Sequence, residues 1–135
     1  MRKVLTVGVF DYFHLGHLRL FKKARQLGDY LIVAVQEDKY IAKTKLDFET
    51  FYSTQERVEL VEAVKGVDEV VIYQDVDALV SQVEFDVFAV GADQTHEGFQ
   101  RAILWCMEHG KTVVRMERTP GICSSKIKEN VRVLR

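Results

Sequence analysis

The chain predicts an α/β fold, a doubly wound parallel sheet of five strands with helices on both faces. Three observations lead there. Short apolar runs of strand length alternate with stretches whose apolar residues recur at helical spacing. Their order, βαβ-αβ-αβ-αβ-α, places helical segments between successive strands, as right-handed crossovers in a parallel sheet require. The 135 residues are 47% hydrophobic and 29% charged, with one proline, eight glycines and no repeat, which fits one domain over residues 1–135 around a single core.

Lys3 to Val9 forms the first strand, with Val4-Leu5-Thr6-Val7 as its inner run, and Gly8 lets the chain leave the sheet with no side chain in the way. A helix starts near Phe13 or His14. Its apolar spacing runs from Leu18 to Leu27, and Gly28 is placed as its C-terminal cap. Tyr30 to Gln36 is the second strand. Ser53-Thr54-Gln55-Glu56 is a capping-box pattern that opens a helix to Val64, and a third strand follows from about Asp68 to Tyr73. A short helix over Val76 to Val83 leads to the strand Asp86 to Val90, which ends at Gly91. Phe99 to His109 is helical with Gly110 as its stop, Thr112 to Met116 is the fifth strand, and Ser124 to Val131 is a last helix. Ligands of such sheets bind beyond the carboxyl ends of the strands, where Gly8, Asp38, Gly91 and the loop after Met116 gather.

The segment from Gly8 to His17 carries the strongest chemical signal. It joins a buried strand to the start of a helix bearing His14 and His17, three positions apart and so on one face, with Gly16 between them leaving room for close approach of a ligand. Free N–H groups and the positive end of the helix dipole add attraction for an anion. A structural zinc site is the rival use of two histidines, and it is rejected because Cys106, Cys123, His96 and His109 show no paired spacing. Farther along, Arg118-Thr119-Pro120-Gly121-Ile122-Cys123-Ser124-Ser125-Lys126 forms a turn that delivers hydroxyls and backbone donors to a helix start, where they can complete a phosphate cradle or simply cap the helix.

Composition narrows the class. A net charge of −1 gives no basic footprint for nucleic acid, so anion binding must come from a local cluster. The sequence shows no signal peptide and no apolar run near the twenty residues of a membrane span. The two cysteines have no disulfide framework around them. The expectation is a cytoplasmic enzyme with reduced thiols, no membrane contact and no nucleic-acid partner.

The His14-Leu15-Gly16-His17 element, following a strand, a glycine and Phe10-Asp11, looks like the HxGH signature of the nucleotidyltransferase superfamily. Arg118, Thr119, Gly121, Ile122, Ser124, Ser125 and Lys126 match the RTxGISTT pattern of cytidylyltransferases. The resemblance covers nearly the whole chain and is nearest to the cytidylyltransferases that use glycerol 3-phosphate. It implies a Rossmann-like fold and transfer of CMP from CTP to a phosphorylated small alcohol, with Mg²⁺ as cofactor, no identified metal ligands, and a homodimer as the working state. It further implies catalytic roles for His14, His17, Lys43 and Arg57. Gly8, Val9, Phe10, Asp11, Gly16, Gly91, Asp93, Arg118, Thr119, Gly121, Ile122, Ser124 and Ser125 join the histidines around the nucleotide, and Asp11, Lys43, Lys45 and Arg57 face the acceptor.

Two departures stand out. Val9 replaces the threonine of the usual Gly-Thr-Phe-Asp, so residue 9 can offer only backbone, and Cys123 replaces a serine. The run Thr95-His96-Glu97-Gly98 does not follow the glycerol-phosphate pattern. Alternative acceptors are ethanolamine phosphate, a sugar phosphate or another phosphorylated compound. An adenylyltransferase of the FAD-synthetase type, and a nucleotide-sensing module without turnover, complete the set.

Overall fold

A computed structural model describes residues 1–44 and 50–117. In chain order the elements are β1 (Lys3–Gly8), α1 (Leu15–Arg25), β2 (Tyr30–Gln36), α2 (Asp38–Thr44), α3 (Thr54–Glu62), β3 (Glu69–Tyr73), α4 (Val76–Leu79), β4 (Val87–Gly91), α5 (Glu97–Glu108) and β5 (Thr112–Met116). All five strands are parallel, in the order β3-β2-β1-β4-β5. This is the expected Rossmann-like arrangement, with the reversal of strand order falling between β1 and β4.

The strands form because both faces of the sheet are covered. Leu5 and Val7 of β1 turn to a cluster containing Val76, Leu79, Phe99, Ala102 and Cys106 of α4 and α5. Val4 turns to the other face, where Phe21 and Ala24 of α1 and Val61 of α3 pack. A strand buried on both sides reads as a continuous apolar run, the pattern of Val4-Leu5-Thr6-Val7 and Leu31-Ile32-Val33-Ala34-Val35. Thr6 is the exception. Its Oγ1 is buried with no hydrogen-bond partner among the described residues. No helix among these residues is long and apolar enough to cross a membrane.

Several expected boundaries shift. The Ser53–Glu56 capping box forms as read, with Ser53 Oγ accepting from the Glu56 N–H at 3.2 Å and the Glu56 carboxylate accepting from the Ser53 N–H at 2.9 Å. Gly110 ends α5 at φ +71°, a conformation suited to glycine. Gly28 is not a cap. α1 ends earlier, with Gln26 as its C-cap, and a Cβ on Gly28 would lie 2.5 Å from the Arg2 carbonyl oxygen, so glycine there lets the chain pass tightly against the start of β1. α4 is shorter than expected, and α5 begins two residues sooner because His96 caps it by accepting the Gly98 N–H on Nδ1 at 3.1 Å. α2 was not expected from the pattern. The helix expected over Ser124 to Val131 lies outside the described residues.

Candidate active site

The turn from β1 into α1 is built from an aromatic residue folded over a glycine. Gly8 ends β1, and a Cβ there would fall 2.8 Å from Cζ of Phe10, whose buried ring also meets His17 and Phe21 edge-on at centroid distances of 5.4 and 5.0 Å. Phe10 and Tyr12 take left-handed backbone angles, φ +56° and +49°. Each such residue costs about 1–2 kcal/mol, a strain held in place by the surrounding contacts. The reward is a turn sharp enough to bring the start of α1 back over the carboxyl end of the sheet.

His14 and His17 then form a capping box of a kind normally made by serine and glutamate. His14, extended at φ −141°, is the N-cap; its Nδ1 accepts the Gly16 N–H at 3.0 Å, and Nδ1 of His17 accepts the His14 N–H at 3.3 Å. The two rings stack, 3.9 Å between centroids and 20° from parallel. A ring nitrogen that accepts a backbone N–H carries no proton, so in the neutral ring the proton sits on Nε2. Burial lowers the His17 pKa to about 3, with a smaller push from His14, and burial lowers that of His14 too. Near neutral pH the pair presents two uncharged Nε2–H donors, stacked side by side at a helix N-terminus. That arrangement suits phosphate oxygens, and it does so through directed donors and the helix dipole.

Arg57 corrects an expectation. It was placed as a phosphate-binding side chain, yet it is 0% exposed and all five of its N–H donors are taken by the protein. Nη1 donates to the carbonyl oxygens of Val9 and Gln36, each at 2.8 Å, Nε to Tyr52 O at 3.3 Å, and Nη2 to Thr54 Oγ1 at 3.3 Å and to the Asp38 carboxylate. A guanidinium so engaged has no donor left for substrate, and it acts by tying the exits of β1 and β2 to the start of α3. Asp38 in turn accepts the Thr54 N–H at 3.3 Å and the Thr50 hydroxyl at 3.3 Å. Burial opposes ionisation of Asp38, but its hydrogen bond and charge pairing with Arg57 outweigh that and leave its pKa low.

Asp11, expected around the nucleotide and the acceptor, is 3% exposed, and its carboxylate accepts the N–H groups of Phe51 at 2.8 Å and Tyr52 at 3.1 Å. It holds the segment before α3 against the β1–α1 turn, where Phe51 packs on Tyr12 at 5.0 Å. Val9 contributes its carbonyl to Arg57, and Gly16 gives its amide to the cap.

On the other side of the strand-order reversal, Gly91 ends β4 in register with Met116 of β5, and Asp93 is exposed in the loop that follows. Lys43 lies in α2. Lys45, Arg118, Thr119, Gly121, Ile122, Ser124 and Ser125 lie outside the described residues. The structure therefore brings Gly8, Phe10, Asp11, His14, Gly16, His17 and the Arg57 network together around one turn, with Gly91 on the neighbouring central strand. Gln94 was the contributor with least signal in the sequence; Asp38 was read at the carboxyl edge of the sheet, without its partner Arg57.

Among the described residues, no three His, Cys, Asp or Glu side chains converge as metal ligands. Asp11, the carboxylate nearest the histidines in sequence, is turned to two backbone amides. The described residues thus present no ready set of ligands for a resident Mg²⁺ ion.

A sequence model of the family described as cytidylyltransferase-like matches residues 5–130. The chain is 35% identical over 135 aligned residues to the glycerol-3-phosphate cytidylyltransferase of Bacillus subtilis (strain 168), covering 97% of this chain and 98% of that one. It is 40% identical over 98 residues to the FAD synthase of Thermococcus sibiricus, covering 70% of this chain and 66% of the relative. Among solved structures, the lipopolysaccharide core biosynthesis protein from Thermoplasma volcanium GSS1 superposes with a TM-score of 0.71 at 28% identity, over 88% of this chain and 97% of that one.

Proposed function

Because the chain belongs to the cytidylyltransferase-like family, and is a nucleotidyltransferase by that membership, we propose that it transfers CMP from CTP to a phosphorylated small alcohol, with glycerol 3-phosphate as the leading acceptor. The products are a CDP-linked alcohol and pyrophosphate. The observation that carries the reading is the stacked, neutral histidine pair at the start of α1, with both Nδ1 atoms fixed by backbone and both Nε2–H groups left to donate. The preference for CTP and glycerol 3-phosphate rests on end-to-end similarity to the Bacillus subtilis enzyme, which the shorter match to FAD synthase does not equal in coverage.

The reaction is an in-line displacement. An oxygen of the acceptor phosphate bonds to the α-phosphorus of CTP as the bond from that phosphorus to the oxygen bridging to the β-phosphate breaks, and pyrophosphate leaves with the electron pair. The acceptor arrives ionised, so no side chain has to remove a proton. What remains for the protein is positioning and charge stabilisation. His14 and His17 donate to triphosphate oxygens and strengthen their hydrogen bonds as negative charge grows on the leaving group. Arg57 and Asp11 shape the turn that presents them. Lys43 and Lys45 supply the positive charge for the acceptor and nucleotide phosphates, and residues 118–125 complete the nucleotide site through Arg118, Thr119, Gly121, Ile122, Ser124 and Ser125. Magnesium enters as the metal complex of the nucleotide, a substrate. The working form is a homodimer.

The test is a matrix of CTP, ATP, GTP and UTP against glycerol 3-phosphate, ethanolamine phosphate, sugar phosphates and flavin mononucleotide, with Mg²⁺, following pyrophosphate and identifying products by mass. Turnover with CTP and glycerol 3-phosphate supports the proposal. Turnover only with ATP and flavin mononucleotide would replace it by the FAD-synthase reading, which the second group of relatives favours. Nucleotide binding without turnover across the matrix would refute catalysis on these acceptors.

A further inference from the structure

The exits of the two central strands are joined by one side chain. β1 and β4 pair only from Val4↔Val87 to Thr6↔Ala89, and beyond that rung they part to open the crevice. Gln94, in the loop after β4, bridges the parted ends. Its Oε1 accepts the Gly91 N–H at 2.9 Å, and its Nε2 donates to the Val7 carbonyl oxygen at 2.7 Å, across 87 positions of sequence. The carboxamide thus stands in for the rungs the backbone no longer makes. Arg115 of β5 holds the same loop from the far side, its Nη1 donating to the carbonyl oxygens of Gly91 at 2.9 Å and Gln94 at 3.2 Å.

The chemistry of the bridge is exacting. One end must accept and the other must donate, on a rigid plane of fixed length, and the glutamine carboxamide offers both at any pH. Val7 directly precedes Gly8, where the turn to the histidines begins, while Gly91 opens the loop to α5. Any change in the spacing of Val7 and Gly91 is passed to both walls of the crevice, and ligands of such sheets sit in that crevice, where the order of the strands reverses.

We propose that Gln94 is a positioning residue for the nucleotide, setting the width of the crevice between the start of α1 and the loop after β4. This rests on the nucleotidyl-transfer reading above. The experiment measures binding of CTP and of ATP, each with Mg²⁺, by calorimetry to the unaltered protein, Gln94→Leu and Gln94→Glu, with thermal unfolding recorded for each. Gln94→Leu is expected to weaken the preferred nucleotide at least tenfold while remaining folded. Gln94→Glu keeps an acceptor for Gly91 but turns a second acceptor toward the Val7 carbonyl at pH 8. Lowering the pH to 5 partly protonates the carboxyl, which then donates to Val7, so its affinity relative to the unaltered protein recovers. A merely structural side chain would shift the unfolding temperature and leave the dissociation constant alone. Unchanged binding in folded Gln94→Leu overturns the inference. If that variant does not fold, a ratio for Gln94→Glu that stays flat with pH overturns it equally. Absence of nucleotide binding by the unaltered protein overturns the proposed function, and this inference with it.

Discussion

Arg57→Lys separates a brace from a substrate contact. Lysine keeps the positive charge but replaces five N–H donors spread over a planar fork with three on one nitrogen. The acceptors at stake are the carbonyl oxygens of Val9, Gln36 and Tyr52, Thr54 Oγ1 and the Asp38 carboxylate, so at least two of them lose their donor. Asp38 is 44% exposed and water relieves its share, which leaves the cost with the buried carbonyls. At about 1–3 kcal/mol for each buried acceptor left unpaired, the loss of two is expected to cost about 2–6 kcal/mol. With a urea m-value of about 2 kcal/mol/M, mid-range for small domains, the unfolding midpoint falls by about 1–3 M. The assay pairs urea unfolding, followed by circular dichroism, with turnover measured in buffer where both proteins are folded. An unchanged midpoint together with a tenfold or greater rise in KM for nucleotide or acceptor would refute the brace and return Arg57 to the substrate.

Three further outcomes follow from the geometry. His17→Asn places Oδ1 near where Nδ1 stood, so the bond from the His14 N–H survives while the outward donor is lost; turnover is expected to fall about 10²–10³-fold with the unfolding midpoint little changed, and near-normal kcat would sink the role given to Nε2. For pH, a folded-state His17 pKa of about 3 lies below the ordinary value of 6.5, so the unfolded chain binds more protons in between; the contribution is full above pH 6.5 and lost as pH falls toward 3, amounting to about 2 kcal/mol by pH 5. The stability difference between the unaltered protein and His17→Asn should therefore shift by that amount between pH 7 and 5, and a constant difference would refute burial of a neutral ring. Gly110→Ala meets no neighbouring atom but forces φ +71° on a residue with a Cβ, for an expected loss of about 1 kcal/mol in chemical denaturation; no loss would mean the backbone relaxes there.

The sheet was legible because burial on both faces writes itself into runs such as Leu31 to Val35, and β5 falls on Thr112 to Met116 as read. α2 was not legible. Its seven residues, Asp38 to Thr44, are too few to show a helical period, and tertiary contacts such as burial of Ile41 set its place. The histidines announced themselves by spacing after a strand and a glycine, yet their capping bonds did not, because sequence does not say which ring nitrogen the backbone engages. Arg57 and Asp11 were read as facing ligands, and what the sequence did not show is that protein groups engage both side chains. Charge type and position can be read from a sequence, whereas whether a donor set is already saturated depends on loops that converge only in space. Gln94 was passed over for the same reason, since its partner lies 87 positions away.

The central place of β1 has a consequence for synthesis. β1 is flanked by β2 and by β4, so a nascent chain can assemble β1, β2 and β3 while one side of β1 waits for residues 87–91. During that interval Val4-Leu5-Thr6-Val7 is an unpaired, apolar edge, a template for pairing with another chain and a ready target for chaperones. The half-made sheet already carries His14 and His17 but lacks the wall that β4 and β5 supply, so a ligand that binds only the finished sheet would draw late intermediates toward it by mass action.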